Sequence, residues 1–270
     1  MSTAASDPLA WACEYRSGTA QELHQDQMLS EGRAVRLNSV TRPALVLGSA
    51  QPATYAWAEF AAHAGFDLAK RNSGGGAVWL APGEQCWVDL WLPAGDPLWR
   101  EDVSQSSWWL GESWAKALAE LAPLPVSVGE PSPQVHRGPM VNRELGQIAC
   151  FAGLGPGEVS LNHRKLVGIS QRRSRFGARF QCVVYTTWNP EPLLMLLQSE
   201  ALPASLPPDN FGADYRRNPQ LSGAKAASAG SSLQAALRNK VDVIRGSQPA
   251  PQDLLEKQVF DALRIHLPVE

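Results

Sequence analysis

The sequence predicts a mixed α/β fold (α+β), a mixed β-sheet flanked by helices, and three observations carry the prediction. Two short runs, Arg33 to Ser39 and Ala44 to Ser49, read as strands. A helical stretch, Pro52 to Ala64, follows them, with Trp57 and Phe60 at helical spacing. Beyond it, Ala77 to Leu80 and Gln85 to Leu92 again read as strands. Strands on both sides of a helix point to sheets and helices packed as layers.

Taken in order, the first thirty residues are polar, with one short helix at Gln21 to Met28, and are expected to carry little function. Thr41-Arg42-Pro43 breaks the first two strands because Pro43 cannot donate to a ladder, so those strands are expected to form a hairpin or to lie side by side. Gly65 suits the end of the first helix as a C-terminal cap. Asp67 to Arg71 leads into Gly74-Gly75-Gly76, and Pro82-Gly83 forms the turn between the next two strands. From Ser104 to Leu121, the residues Leu110, Trp114, Leu118 and Leu121 recur every three or four positions, which marks one buried helical stripe with Trp108 and Trp114 in the core. Ala122 to Pro133, rich in proline, is expected to be a short strand between loops. Glu158 to Leu161 and Lys165 to Gln171 flank Asn162-His163 as a two-residue hairpin, and Ala178 to Trp188 is the next strand. After Pro190 the chain turns helical at Leu193 to Leu197, Leu233 to Ile244 and Leu254 to Ile265. Loops fall at Pro203, Pro207 and Pro208 and at Ser222 to Ser232.

Composition excludes several function classes. The formal net charge of the 270-residue chain is −2, so no global positive field is available for nucleic acid or an anionic membrane. No run of eighteen apolar residues occurs and the N-terminus lacks a signal pattern, which points to a cytoplasmic protein with no membrane partner. Cys13, Cys86, Cys150 and Cys182 are far apart, with no CxxC pair, so neither a metal site nor a disulfide scaffold is expected.

The glycine run Arg71-Asn72-Ser73-Gly74-Gly75-Gly76-Ala77-Val78 lets backbone approach a ligand closely, or else it is a flexible turn. It is neither a P-loop nor a dinucleotide fingerprint, since the following Lys-Ser/Thr and the GxGxxG spacing are both missing. Trp79, Trp87 and Trp91 alternate along two strands, where they either line an apolar tunnel or fill a core.

These residues carry a resemblance. Arg71 to Val78 resembles the Arg-Arg-x-(Ser/Thr)-Gly-Gly-Gly-Ala-Val signature of lipoate-protein ligases and their octanoyltransferase relatives, in the biotin/lipoate protein ligase catalytic-domain superfamily. Arg164-Lys165-Leu166-Val167-Gly168-Ile169-Ser170-Gln171-Arg172-Arg173 is similar to the same family's lysine motif. Pro43 to Gln51 resembles its strand ending in Val-Ile-Gly-x-x-Gln, and Ala149-Cys150-Phe151 resembles the Ala-Cys-Phe of its cysteine-dependent octanoyltransferases. The chain departs from the family where Trp79-Leu80-Ala81-Pro82 replaces the usual His-Asp, and the Asn-Asp pair of ATP-dependent ligases is not evident. Cys182 stands where relatives often carry His, and is expected to pack in its strand.

The resemblance implies a biotin/lipoate ligase-like catalytic domain at 31–270, with a helical C-terminal part and no separate accessory domain, after an N-terminal extension at 1–30. It implies that Lys165 and Cys150 are catalytic, and that Arg71, Ser73, Gly74, Gly75, Gly76, Ala77, Gly168 and Ser170 bind the acyl substrate. The favoured activity is transfer of a lipoyl or octanoyl group to a lysine of a carrier domain through a Cys150 thioester, with Lys165 stabilising charge and favouring the nucleophilic thiolate. That reaction requires no cofactor. The alternative is an ATP- and magnesium-dependent ligase forming lipoyl-adenylate; a second alternative is a non-catalytic lipoyl- or carrier-binding homologue. The expected partners are lipoyl-carrier domains of 2-oxoacid dehydrogenases or glycine cleavage H protein, with acyl carrier protein as donor.

Overall fold

A computed structural model of the chain describes residues 9–28, 30–121, 132–161, 164–197 and 252–269. The strands are β1 (Ala12–Gly18), β2 (Ala34–Val40), β3 (Ala44–Leu47), β4 (Asp67–Lys70), β5 (Val78–Leu80), β6 (Gln85–Pro93), β7 (Gln134–Val135), β8 (Val159–Leu161), β9 (Arg164–Ser174) and β10 (Gly177–Tyr185). The helices are α1 (Ala20–Gln25), α2 (Ala58–Ala64), α3 (Trp108–Leu121), α4 (Arg143–Ile148), α5 (Glu191–Leu196) and α6 (Gln252–Ile265). Seven strands form one sheet in the order β1-β2-β6-β10-β9-β8-β7, and three form a second in the order β4-β3-β5. Both sheets are mixed, since β1 runs parallel to β2 and β4 parallel to β3 while the other neighbours are antiparallel.

The alternation of the large sheet separates two functions. Val35, Leu37, Val88, Leu90, Phe180 and Cys182 point to one face, where α3 and α6 cover them with Leu110, Trp114, Leu118, Phe260 and Leu263. The stripe expected on α3 is therefore a core stripe. Cys182 packs there too, and burial pushes its thiol pKa far up. Arg36, Trp87, Asp89, Arg179, Gln181 and Val183 occupy the alternate positions, and this opposite face is where α1 and the small sheet bring polar groups together.

Two expectations need correction. β2 and β3 are not a hairpin or neighbours: the corner at Pro43 sends β2 to the large sheet and β3 to the small one. Both strands are buried along nearly their whole length, which a ribbon with one wet face cannot supply. The turn at Gly83 (φ 76°) likewise passes the chain from one sheet to the other. Residues 12–25, within the stretch read as an extension of little function, are also built into the fold. β1 pairs with β2 through seven register positions, and α1 is started by a capping box in which Thr19 and Glu22 satisfy each other's backbone N–H groups. Arg179 then holds the other end of α1 by donating to the carbonyls of Leu23 (2.9 Å) and Asp26, while its guanidinium pairs with Asp89.

Gly65 caps α2 in the left-handed conformation (φ 74°), as the sequence predicts. The proline-rich stretch up to Pro131, the Asn162-His163 turn, the loops around Pro203, Pro207 and Pro208 and at Ser222 to Ser232, and the helix at Leu233 to Ile244 lie outside the described residues. Among the described residues no helix is long and apolar enough to cross a membrane.

Candidate active site

The glycine run is the place where three backbones meet. A Cβ at Gly48 would lie 1.9 Å from the Gly75 carbonyl oxygen, and one at Gly76 would lie 2.6 Å from the Gly146 carbonyl oxygen. Gly75 takes a left-handed φ of 95°. Next to it the Ala77 N–H donates to the Ile148 carbonyl (2.7 Å) and the Cys150 N–H donates to the Ala77 carbonyl (2.9 Å), so the cysteine is registered by backbone pairing against the glycine loop. Gln51 reinforces the junction: its Oε1 accepts from the Gly48 N–H (2.9 Å), and its Nε2 donates to the carbonyls of Gln147 and Ile148 (3.0 Å each). The flexible-turn reading fails here for Gly75 and Gly76. Gly74 is exposed and nothing in the packing requires it to lack a side chain.

Arg71, at the end of β4, folds back on this loop. It is buried and donates to the carbonyls of Gly74 and Gly76, each at 2.8 Å. Burial pulls its pKa down while Cys150 and Tyr185 pull it up, and an arginine stays cationic under both influences. Arg172 donates to the Asn72 carbonyl (2.9 Å), and the Ser73 and Ser170 hydroxyls lie 3.0 Å apart, so the loop of the small sheet is tied to β9 of the large one.

Lys165 enters from β9. A register shift opposite Val159 and Ser160 lets the consecutive residues Leu166 and Val167 both reach the main core, and this turns Lys165 toward the cysteine. Its buried Nζ pairs with Glu158 Oε1 (2.7 Å), donates to the carbonyls of Cys150 (2.9 Å) and Gly153 (3.2 Å), and lies 3.7 Å from Cys150 Sγ. The Phe151 ring centroid is 5.0 Å away. Burial alone would lower the lysine pKa, but Cys150 and Glu158 more than offset it and hold the pKa above the ordinary value. The group is therefore a fixed ammonium. Gly168 leaves it room, since a Cβ there would meet Phe151 at 3.0 Å and Lys165 Cε at 3.3 Å.

Beside these groups is a narrow cavity. Arg71, Cys150, Phe151, Gly168, Ser170 and Gln181 line part of it, and Val46, Val78, Leu80, Trp87 and Val183 line the rest together with His24. Its walls thus come from both sheets and α1. Of the three tryptophans on β5 and β6, Trp87 alone faces this cavity. Trp79 packs against Phe66 and donates to Glu84, and Trp91 donates to the Ser30 carbonyl on the far side of the molecule.

The structure therefore brings Lys165, Cys150, Arg71, Ser73, Gly75, Gly76, Ala77, Gly168 and Ser170 into one neighbourhood. Sequence reasoning missed Glu158, which orients Lys165 and also accepts from the N–H groups of Gly155 (2.7 Å) and Ile169 (3.0 Å). It gave Gly48 and Gln51 no role although both belong to a recognisable motif. It also passed over His24, whose signal was its place one turn from Ala20 and beside Leu23 on the buried face of α1. Among the described residues no group of three or more His, Cys, Asp or Glu side chains could hold a metal ion. Glu158 accepts from Lys165 and from the N–H groups of Gly155 and Ile169.

The sequence profile of the lipoyl protein ligase A/B catalytic domain matches residues 18–212. No curated protein is matched by sequence. Among solved structures, the chain is similar to one from a structural analysis of an archaeal lipoylation system, a bipartite lipoate protein ligase and its E2 lipoyl domain from Thermoplasma acidophilum. Identity there is 12%, the TM-score 0.52, and the match covers 93% of this chain and 92% of the other. It is also similar to a lipoate-protein ligase A bound with ATP, with 12% identity, a TM-score of 0.50, and 93% and 94% of the two chains covered. At these identities the likeness is one of fold.

Proposed function

Because the chain belongs to the family of lipoyl protein ligase A/B catalytic domains, we propose that it is a protein-lipoylation transferase that carries a lipoyl or octanoyl group on Cys150 and delivers it to a lysine of a lipoyl-carrier domain. The observation that carries this reading is the buried Lys165 ammonium 3.7 Å from Cys150 Sγ, beside a cavity whose lining is largely apolar.

In the first step an acyl thioester of a carrier protein lays its chain in the cavity and the Cys150 sulfur attacks the carbonyl carbon. The new S–C bond forms, the carrier's S–C bond breaks, and the proton given up by Cys150 passes to the departing carrier thiol. In the second step the neutral amine of the acceptor lysine attacks the Cys150 thioester. A C–N bond forms, the Cys150 S–C bond breaks, and the amine's proton passes to the released sulfur. Lys165 acts in both steps as a fixed charge: its three protons are directed to Glu158 and to the carbonyls of Cys150 and Gly153, so its effect on the sulfur and on the tetrahedral oxyanion is Coulombic. No nucleotide enters. The acceptor class is a lipoyl domain of a 2-oxoacid dehydrogenase or the glycine cleavage H protein, with acyl carrier protein as donor; a structural neighbour described together with its E2 lipoyl domain supports the first of these.

Incubation with octanoyl- or lipoyl-carrier protein is expected to add one acyl group to the intact chain, removable by hydroxylamine and lost in Cys150→Ser. Modification of an acceptor lysine without that adduct overturns the thioester. Activation of free lipoate by ATP and magnesium is then the reading to test, through lipoate-dependent release of pyrophosphate.

A further inference from the structure

One cavity-lining residue has a buried polar atom with no hydrogen-bond partner among the described residues. His24 on α1 lines the cavity, is 5% exposed, and has its ring centroid 4.5 Å from that of Trp87. Its Nδ1 lies 3.1 Å from Gln181 Nε2, and an amide NH2 there donates, which leaves the ring proton on Nε2. Gln181 is itself held, because its Oε1 accepts from Ser73 Oγ (3.3 Å), which in turn lies 3.0 Å from Ser170 Oγ. Nε2 is nevertheless buried with no hydrogen-bond partner among the described residues. Unpaired buried donors are rare, and the wall of a ligand cavity is a place where a guest can complete them.

The position along the guest follows from the two walls. Cys150 adjoins Ala149 and Ala152 in the cluster that contains Leu45, Trp79 and Ile148. His24 lies on the helix that packs Ala20 and Leu23 against Val40, Leu80 and Trp87. An acyl group with its carbonyl at Cys150 presents the body of its chain to His24, not its reacting end.

We propose that His24 is a specificity-determining residue, whose Nε2–H donates to an acceptor atom in the body of the bound acyl chain and so favours a group bearing ring sulfurs over a plain hydrocarbon. This rests on the acyl reading of the cavity given above. Burial, with Arg71 and Arg179 close by, holds the imidazole pKa down at about 3, so the ring remains a neutral one-proton donor through the working pH range. A saturated chain leaves this donor unpaired; a dithiolane sulfur is a weak acceptor but a real one.

Equilibrium dialysis of the full chain with lipoic acid and with octanoic acid tests the assignment, comparing the wild type with His24→Phe, which keeps a ring against Trp87 and removes the donor. The wild type is expected to prefer lipoic acid by roughly ten-fold, and the variant to lose most of that preference through weaker lipoic acid binding. An equal change for both acids, no change, or no binding of either acid overturns the proposal. If the variant fails to fold, 15N-resolved titration of the wild-type imidazoles serves instead. The Nε2 signal of the histidine that stays neutral to pH 4 or so should shift with lipoic acid and not with octanoic acid. A signal unmoved by lipoic acid, or moved equally by both acids, indicates a water or nothing at that position and overturns the proposal. Free-acid binding does not require Cys150. A sulfur preference without a Cys150 adduct therefore removes only the thioester reading, and an adduct without the preference removes only the histidine.

Discussion

Lys165 and His24 sit in the same neighbourhood under opposite conditions. The lysine has three protons and three oxygen acceptors within 3.2 Å, with a sulfur beyond them. The histidine is as deeply buried and has one nitrogen with no partner among the described residues. A saturated group is pre-organised: it supplies charge at a fixed point and needs no reorientation during reaction. An unsaturated one is a vacancy in the hydrogen-bond network that a guest can fill. The contrast separates the part of the site suited to chemistry from the part suited to selection.

The sharpest way to break that contrast is Lys165→Ala. It removes the charge beside Cys150 and strands a buried carboxylate, so acyl transfer to the acceptor lysine should fall by about 100- to 1000-fold and unfolding stability by about 3–5 kcal/mol. Single-turnover transfer and denaturant unfolding measure the two effects. Unchanged transfer would show that the ammonium is structural only. Next comes Gly48→Ala, which touches neither residue but drives a methyl into the Gly75 carbonyl oxygen, 1.9 Å away. It should cost about 3 kcal/mol and slow adduct formation on Cys150 by displacing the loop that registers it. A variant as stable and as fast as wild type would mean that the three-backbone junction tolerates slack.

The smallest effect concerns pH. An unfolded histidine takes a proton near pH 6.5, whereas His24 in the folded chain does so only near 3. As pH falls below 6.5 the unfolded state binds the proton first. The stability this group contributes is therefore complete above that value and declines by about 1.5 kcal/mol between pH 6.5 and 5. The decline ends near pH 3, where the folded form also protonates. Denaturant midpoints across this window should slope downward for the wild type, and less steeply by that amount for His24→Phe. Parallel slopes would mean that the ring is hydrated in the folded chain.

Legibility in the sequence differed between the same two regions. Arg71, Gly75, Gly76, Cys150 and Lys165 are legible because each lies in a short contiguous motif whose residue types are chemically restrictive. Periodicity located α3 and most strands for a similar reason, since alternation and three-to-four spacing are local properties. The assignment of β2 and β3 to different sheets was not legible, because a proline corner looks the same whether the chain doubles back or crosses to another layer. Glu158, just before β8, and Gln181, on β10, were hidden as ordinary polar positions. Their partners, Lys165 and His24, are brought to them by sheet register and by Arg179 anchoring α1, and neither relation is written in adjacent residues. His24 fell in a stretch set aside for its polarity, although its helix turn carries it inward.

The pairing of residues 76 and 77 with the segment from Gly146 to Cys150 also bears on descent. Cys150 is paired by its backbone with a neighbour more than seventy residues earlier in the chain. One added methyl at position 48 or 76 would press directly on that pairing. Sequences diverging from this one should therefore accumulate change around two small glycine-bearing islands that remain fixed.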